Sequence, residues 1–160
     1  MKTVFLGIGT NLGKREDNLR KAITLIEEHI GKVIRESSVY ETEPWGFKSE
    51  TSFFNMVLKV DTSLTPAGLL GRIVMIEAMM GRLREGKGYK SRIIDIDILF
   101  FGNRIFENKV LIIPHPKIQE RRFVLVPLTE IAGDLIHPVF NKSIEELLKE
   151  CKDKGEVLKR

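Results

Sequence analysis

The segment Arg92-Ile-Ile-Asp-Ile-Asp-Ile-Leu-Phe-Phe101 holds two aspartates inside an otherwise apolar run. Read as a strand, it turns Ile94, Ile96, Ile98 and Phe100 one way and Ile93, Asp95, Asp97 and Leu99 the other. Both carboxylates then project from one face, with Cα atoms about 6.6 Å apart, two strand rises. Asp is depleted in strands, and like charges this close drive one group to take up a proton unless a cation lies between them. Mg²⁺ is typically held by one or two carboxylates together with substrate phosphates. A bridging Mg²⁺ is one reading; a solvated outer sheet face is the other, and apolar Ile93 and Leu99 weaken it.

The stretch just before the pair is basic. Arg82, Arg84, Lys87, Lys90 and Arg92 fall within eleven residues, against one acid, Glu85. Cations beside a metal-binding pair suit a polyphosphate, because metal and guanidinium share the oxygens. Alone, such a loop is an ordinary solvated one. Gly7-Ile-Gly-Thr-Asn-Leu-Gly13 resembles a dinucleotide fingerprint, but Leu12 stands at the third glycine position, so it reads as a structural turn. His29, His115 and His137 show no i, i+4 zinc spacing. His29 lies in a last helical turn and His137 precedes Pro138, both structural positions; His115, between two prolines, could donate to a phosphate. Phe53 and Asn55 alternate onto one strand face, where a ring and an amide either recognise a heterocycle or simply pack. Trp45 and Phe47 either anchor their polar loop or cover a flat ligand.

These residues need positioning elements. The sequence predicts a strand at 4–8, a helix at 14–30 ended by a left-handed Gly31, a strand at 32–42, and a break at 43–52. A strand follows at 53–61. The next helix begins at the Thr65-Pro66 start signal and runs to about residue 82. With the strand at 92–101 the order is β-α-β-β-α-β, the ferredoxin-like order. The expected fold is α+β: an antiparallel sheet with helices, then a C-terminal hairpin (104–106 with 109–113) and helices at 125–132 and from Ser143. Ser143 and Glu146 have capping-box spacing, and Cys151 falls on that helix's inner face as a small core residue.

The 160 residues suit a single domain, 1–160, and 42% hydrophobic with 30% charged residues is a globular composition. A single cysteine excludes an intrachain disulfide and a thiolate metal cluster. The net charge of +4 fits an anionic ligand without requiring nucleic acid. Neither a secretory leader nor a membrane-length apolar run is legible, so a cytoplasmic protein without membrane partners is expected.

Taken in order, several motifs resemble the 6-hydroxymethyl-7,8-dihydropterin pyrophosphokinase family of folate biosynthesis. They are Gly7-Ile-Gly-Thr-Asn-Leu-Gly13, Tyr40-Glu-Thr42, Phe53-Phe-Asn55, Ser91-Arg92-x-x-Asp95-Ile-Asp97-Ile-Leu-x-x-Gly102, Ile113-Pro-His-Pro116 and Arg121-x-Phe123-Val-Leu-x-Pro127-Leu. The resemblance implies transfer of pyrophosphate from ATP to the pterin hydroxymethyl oxygen, releasing AMP. It implies that Asp95 and Asp97 hold two Mg²⁺ ions and that Arg82 and Arg92 stabilise the transferring group. ATP contacts would come from Arg84, Arg92, His115 and Arg121, and pterin contacts from Thr42, Trp45, Phe53, Asn55 and Phe123. Small-molecule substrates and a monomer are the family expectation. The departures fall mainly on the nucleotide side: Gly88 replaces a common basic residue, Lys90 a glycine and Tyr89 a tryptophan, and Val110 and Ile112 are apolar where polar contacts occur. On the pterin side, Phe53 lacks a common tyrosine hydroxyl. Segments 9–14, 43–52 and 84–91 are polar and contain glycine or proline; the last two are expected to close over the substrates.

Three other readings compete. An RNA-recognition module shares the element order, but the strand Ser52-Phe-Phe-Asn-Met-Val-Leu-Lys59 lacks the aromatic RNA motif and the acidic pair would repel a phosphate backbone. A nucleotidyltransferase or phosphohydrolase would share the aspartates but not the Asn55 and Phe123 pocket. A non-catalytic relative would not need the intact acidic pair with Arg82 and Arg92.

Overall fold

The structure is a computed structural model; it describes residues 1–43, 52–81 and 93–160. The chain runs β1 (Lys2–Thr10), α1 (Arg15–His29), β2 (Gly31–Glu36), β3 (Tyr40–Thr42), β4 (Phe53–Thr62), α2 (Pro66–Met79) and β5 (Asp95–Phe101). After these come a small hairpin of β6 (Phe106–Glu107) and β7 (Ile112–Ile113), a 3₁₀ turn (Ile118–Glu120), α3 (Arg122–Ala132), α4 (Ile144–Glu150) and β8 (Val157–Lys159). The expected α+β class is present, and the order matches β-α-β-β-α-β when β2 and β3 are counted as the one strand expected there.

Among the described residues the main sheet has six strands in the order β5-β1-β4-β3-β8, with β2 also paired to β4. All of these pairings are antiparallel. The strand expected over 32–42 is two strands, β2 and β3, laid end to end along one edge of β4. The interruption is chemical: the Ser37 hydroxyl accepts from the Val57 amide at 2.9 Å, a place a regular ladder would give to a carbonyl. Ser38 turns away to donate its amide and hydroxyl to Glu130 of α3.

The sheet is buried on both faces. Val4, Leu6 and Ile8 of β1 and Phe54, Met56, Leu58 and Val60 of β4 pack against Leu19, Ile23 and Ile26 of α1 and Leu69, Ile73 and Ile76 of α2. Phe5, Val57, Leu99 and Phe100 form a second core with Leu125, Leu128 and Ile131 of α3 and Ile144 and Leu147 of α4. Each such side chain contributes roughly 1.5–3 kcal/mol on burial. The helix starts follow their signals: Thr65 accepts from the Gly68 amide ahead of Pro66, and Ser143 and Glu146 complete a capping box. Cys151 is buried in the second core, as expected.

Three local expectations are corrected. Phe100 does not share a face with Ile94, Ile96 and Ile98. Leu6 pairs with Ile98 and Phe5 with Phe100, so Leu99 is an extra residue, a bulge that reverses the alternation. Phe100 therefore joins the second core and Phe101 the first, and Ile93, ahead of the strand, packs on the first core instead of beside the aspartates. Gly31 is not a left-handed stop: it opens β2, and its φ is not positive. Glycine is needed there because a Cβ would overlap the backbone carbonyl of Asp61. The third helix starts at Arg122, not Leu125, and carries Pro127 inside it.

The two environments of Gly31 and Gly71 predict opposite effects. Gly31→Ala meets rigid backbone and should destabilise by at least about 2 kcal/mol. Gly71→Ala, on the exposed side of α2 with nothing within 4 Å, should gain about 0.5–1 kcal/mol. Urea melts of both variants check the pair; equal midpoints would contradict the packing account.

Candidate active site

The face of the sheet covered by α3 carries the chemistry, from the edge strand β5 across β1 and β4 to β3. Asp95 lies opposite Gly9 and Asp97 opposite Gly7, so neither aspartate has a side chain beside it from β1. Gly9 in turn faces Asn55, and Asn55 faces Tyr40. A Cβ on Gly9 would lie 2.6 Å from the Asn55 Oδ1, so the glycine makes room for that amide. The Asn55 Nδ2 donates to the Thr42 Oγ1 at 3.0 Å, which fixes the amide's orientation. Phe53 pairs with Thr42 one step further along. Thr42, Phe53 and Asn55 thus form one shelf beside the acidic pair.

A cleft of about 470 Å³ opens over β5, lined by Asp95, Asp97, Leu70, Ile73, Ile98, Leu111, His115 and Arg121. One wall is apolar and suits a flat ring; the other carries the acids, the imidazole and a guanidinium. The bulge at Leu99 positions that second wall, because its carbonyl accepts from the His115 amide at 3.0 Å. The His115 Nδ1 accepts from the Lys117 amide at 3.1 Å, so in the neutral ring Nε2 carries the proton. Burial, with the positive charge of Arg121 acting against protonation, pushes its pKa down to about 4. His115 is therefore a neutral donor. Arg121 stands at the start of α3, its guanidinium 5.7 Å from the centroid of Phe123, which packs against the second core.

The structure therefore gathers Asp95, Asp97, His115 and Arg121 in one cleft, with Thr42, Phe53 and Asn55 on the adjoining shelf and Phe123 beside Arg121. Arg82, Arg84, Arg92 and Trp45 lie outside the described residues, as do Phe47, Lys87, Gly88, Tyr89 and Lys90. Val110 and Ile112, two of the departures, line the same cleft. His137 is structural as expected: it is buried, its Nδ1 accepts from the Val139 amide at 3.2 Å, and its ring meets Phe100 edge to face. His29 pairs with Glu28 on the surface. The turn at 9–14 is tied down: Thr10 and Asn11 are fully buried, and the Asn18 amide donates to the Leu12 carbonyl at 2.7 Å.

Two features escaped the sequence reading. Glu77 is a buried carboxylate on α2 that accepts from the Ile96 amide at 3.0 Å, between the two aspartates. Its signal was present: it stands four residues after Ile73, on the apolar face of α2. Arg15 donates to the Ser52 carbonyl and hydroxyl at 2.9 and 3.0 Å and lies 3.9 Å over the Phe54 ring, fixing the entry to β4. The Ser52 hydroxyl donates to Glu41, and this bond, with the charges of Arg160 and Arg15, holds the Glu41 carboxyl below its usual range. No sequence spacing connects residues 15, 41, 52 and 160.

An acidic pair on a sheet face beside a cleft with an imidazole and a guanidinium is a set of groups able to meet a metal-bound phosphate. Residues 5–133 match the family model of 7,8-dihydro-6-hydroxymethylpterin-pyrophosphokinase. A 2-amino-4-hydroxy-6-hydroxymethyldihydropteridine pyrophosphokinase of Aquifex aeolicus is 41% identical over 150 residues, 94% of this chain and 92% of that protein. The same-named protein of Methylorubrum extorquens is 37% identical, covering 97% of each chain. The folic acid synthesis protein fol1 of Pneumocystis carinii is 42% identical over 95% of this chain, which spans only 20% of that longer protein. Among solved structures, Plasmodium falciparum HPPK-DHPS with pteroate superposes with a TM-score of 0.77 at 19% identity, over 93% of this chain and 44% of that one. The chain belongs to the 7,8-dihydro-6-hydroxymethylpterin-pyrophosphokinase family, kinase-type transferases of folate biosynthesis. Among the described residues no helix is long and apolar enough to cross a membrane.

The depressed pKa of His115 sets a pH dependence. Because the folded value lies below the free value of 6.5, the stability linked to the neutral ring is complete above pH 6.5 and is lost as pH falls toward about 4. Nitrogen-detected NMR should find the Nε2-protonated tautomer at pH 7 and a midpoint well under 6.5. A midpoint at or above 6.5 would contradict the assignment.

Proposed function

We propose that this chain transfers pyrophosphate from ATP to the hydroxymethyl oxygen of 6-hydroxymethyl-7,8-dihydropterin, with Mg²⁺, releasing AMP. The observation that carries the reading is the placement of Asp95, Asp97, His115 and Arg121 in one cleft beside the Asn55 and Thr42 shelf. The acidic pair suits the metal: two oxygen donors share one face, and Gly7 and Gly9 opposite set no side chain of β1 beside them. Asp95 and Asp97 would hold two Mg²⁺ ions, whose charge would offset that of the triphosphate and of the group in transfer.

The chain's own residues do the rest by positioning and electrostatics, which is where phosphoryl-type transfer draws its rate. The His115 Nε2–H and the Arg121 guanidinium donate to phosphate oxygens. A neutral imidazole at this place orients the chain of phosphates without competing with the aspartates for the cations. Leu70, Ile98 and Leu111 offer the apolar wall for the nucleotide ring. The Asn55 amide, oriented by Thr42, reads the pterin edge, while Phe53 and Phe123 stack on its faces and Trp45 closes the pocket. Arg82 and Arg92 stabilise the transferring group, and Arg84 adds to the ATP contacts. We assign these roles to a single domain spanning 1–160, acting as a cytoplasmic monomer on small molecules, with neither nucleic acid nor membrane as partner.

The product identifies the reaction. With ATP, Mg²⁺ and the pterin together, AMP should form; without pterin or metal it should not. ADP would indicate a simple kinase and free pyrophosphate a nucleotidyltransferase. Asp97→Ala should lower kcat by about three orders of magnitude while keeping the fold, because the group removed is one of a repelling pair. Unimpaired turnover would remove Asp97 from the metal site. Asn55→Ala should raise the pterin KM roughly tenfold or more, the loss of a buried hydrogen bond to substrate, with ATP KM unchanged.

A further inference from the structure

Helix α3 delivers Arg121 and Phe123, yet its own sequence does nothing to secure its first turn. Its N-cap is Arg121, which makes no side-chain cap, and its first turn holds no acid. Arg121 and Arg122 instead place two guanidinium groups at the positive end of the helix dipole. The missing cap comes from thirty-one residues further along the chain. The Asp153 Oδ2 accepts from the Arg122 amide at 3.1 Å, and its Oδ1 accepts from the Gly155 amide at 2.9 Å. One carboxylate thus binds the first turn of α3 to the segment that follows α4.

That segment is itself fixed at both ends. Cys151 is buried in the second core, and β8 pairs with β3, where Thr42 faces Val157. Lys159 lies 3.5 Å from Glu130 at the other end of α3, and the Arg160 amide donates to the Val39 carbonyl at 2.8 Å. Residues 134–160 lie beyond the stretch that the family model matches. They nevertheless hold both elements that flank the shelf, α3 and β3.

We infer that Asp153 is a positioning residue: by capping α3 from outside it fixes the first turn and so the places of Arg121 and Phe123 against the substrates. What those two side chains bind rests on the pyrophosphokinase reading; the capping role does not. Asparagine would be a partial substitute, since its single carboxamide oxygen accepts one of the two amides and its charge is gone.

The test uses the full chain with Asp153→Ala, Asp153→Asn and a control, Ser143→Ala, which removes the cap of α4, a helix whose first turn meets α3 at Gly133, the end away from Arg121. Steady-state kinetics with ATP and the pterin, well below the melting temperature, should show kcat/KM for both substrates lowered about tenfold in Asp153→Ala, mostly through KM. Asp153→Asn should fall between it and wild type, and Ser143→Ala should match wild type despite a lower Tm. Amide exchange at residues 122–124, measured without substrates, should quicken about tenfold in Asp153→Ala only. Unchanged exchange there would overturn the capping role. Quickened exchange with KM values equal to wild type, or shifted equally in Ser143→Ala, would leave Asp153 a purely structural residue and overturn the positioning claim. An inactive wild type would sink the functional reading and with it the kinetic role of Asp153, while the exchange data would still decide whether the cap exists.

Discussion

Two carboxylates one residue apart on the same face of a strand repel, and much of the surrounding structure answers that repulsion. Asp95 and Asp97 sit on β5 opposite two glycines of β1, so nothing from the neighbouring strand fills or shields the space between them. Proton donors and positive charge come instead from across the cleft, through His115 and Arg121. On the proposed reading, a polyanion arriving with its metal would add the cations that such a pair favours.

The bulge at Leu99 allows one strand to serve two masters. Before it, β5 sends aspartates toward the cleft and isoleucines into the core under α1 and α2. After it, the alternation is reversed, so Phe100 fills the core under α3 and α4. The displaced residue also supplies the carbonyl that anchors His115. A regular strand would leave the acids in place but would turn Phe100 toward the first core and Phe101 toward the second. Catalytic geometry and packing are thus coupled through a single inserted position.

What the sequence disclosed follows from the range of each interaction. The strand and helix periods, the Thr65-Pro66 start, the capping box at Ser143 and the paired aspartates are all local patterns, and all were readable. The Asn55 shelf was readable in part, because Phe53 and Asn55 alternate, but its orientation by Thr42 and its dependence on Gly9 arise from pairing across strands. The true start of α3 was hidden because its cap lies in residue 153, and the short β8 offers too few residues to show a period. The bulge was invisible since an apolar run such as Ile98-Leu-Phe-Phe101 reads alike in either register. Membership of the family could be seen in the chain because motif order survives where contacts cannot be inferred.

The capping carboxylate of Glu77 has a further consequence at the sheet's border. β5 forms one margin of the sheet, where a backbone amide facing outward is a template for another chain. Glu77 occupies the Ile96 amide at that margin, so this donor is not open to another strand. The opposite margin, β8, is only three residues long and is flanked by the charges of Lys159 and Arg160. Among the described residues this margin is thus closed to β pairing at Ile96 and β8 is too short to seed it, which leaves the outer side of β2 as the longer open edge.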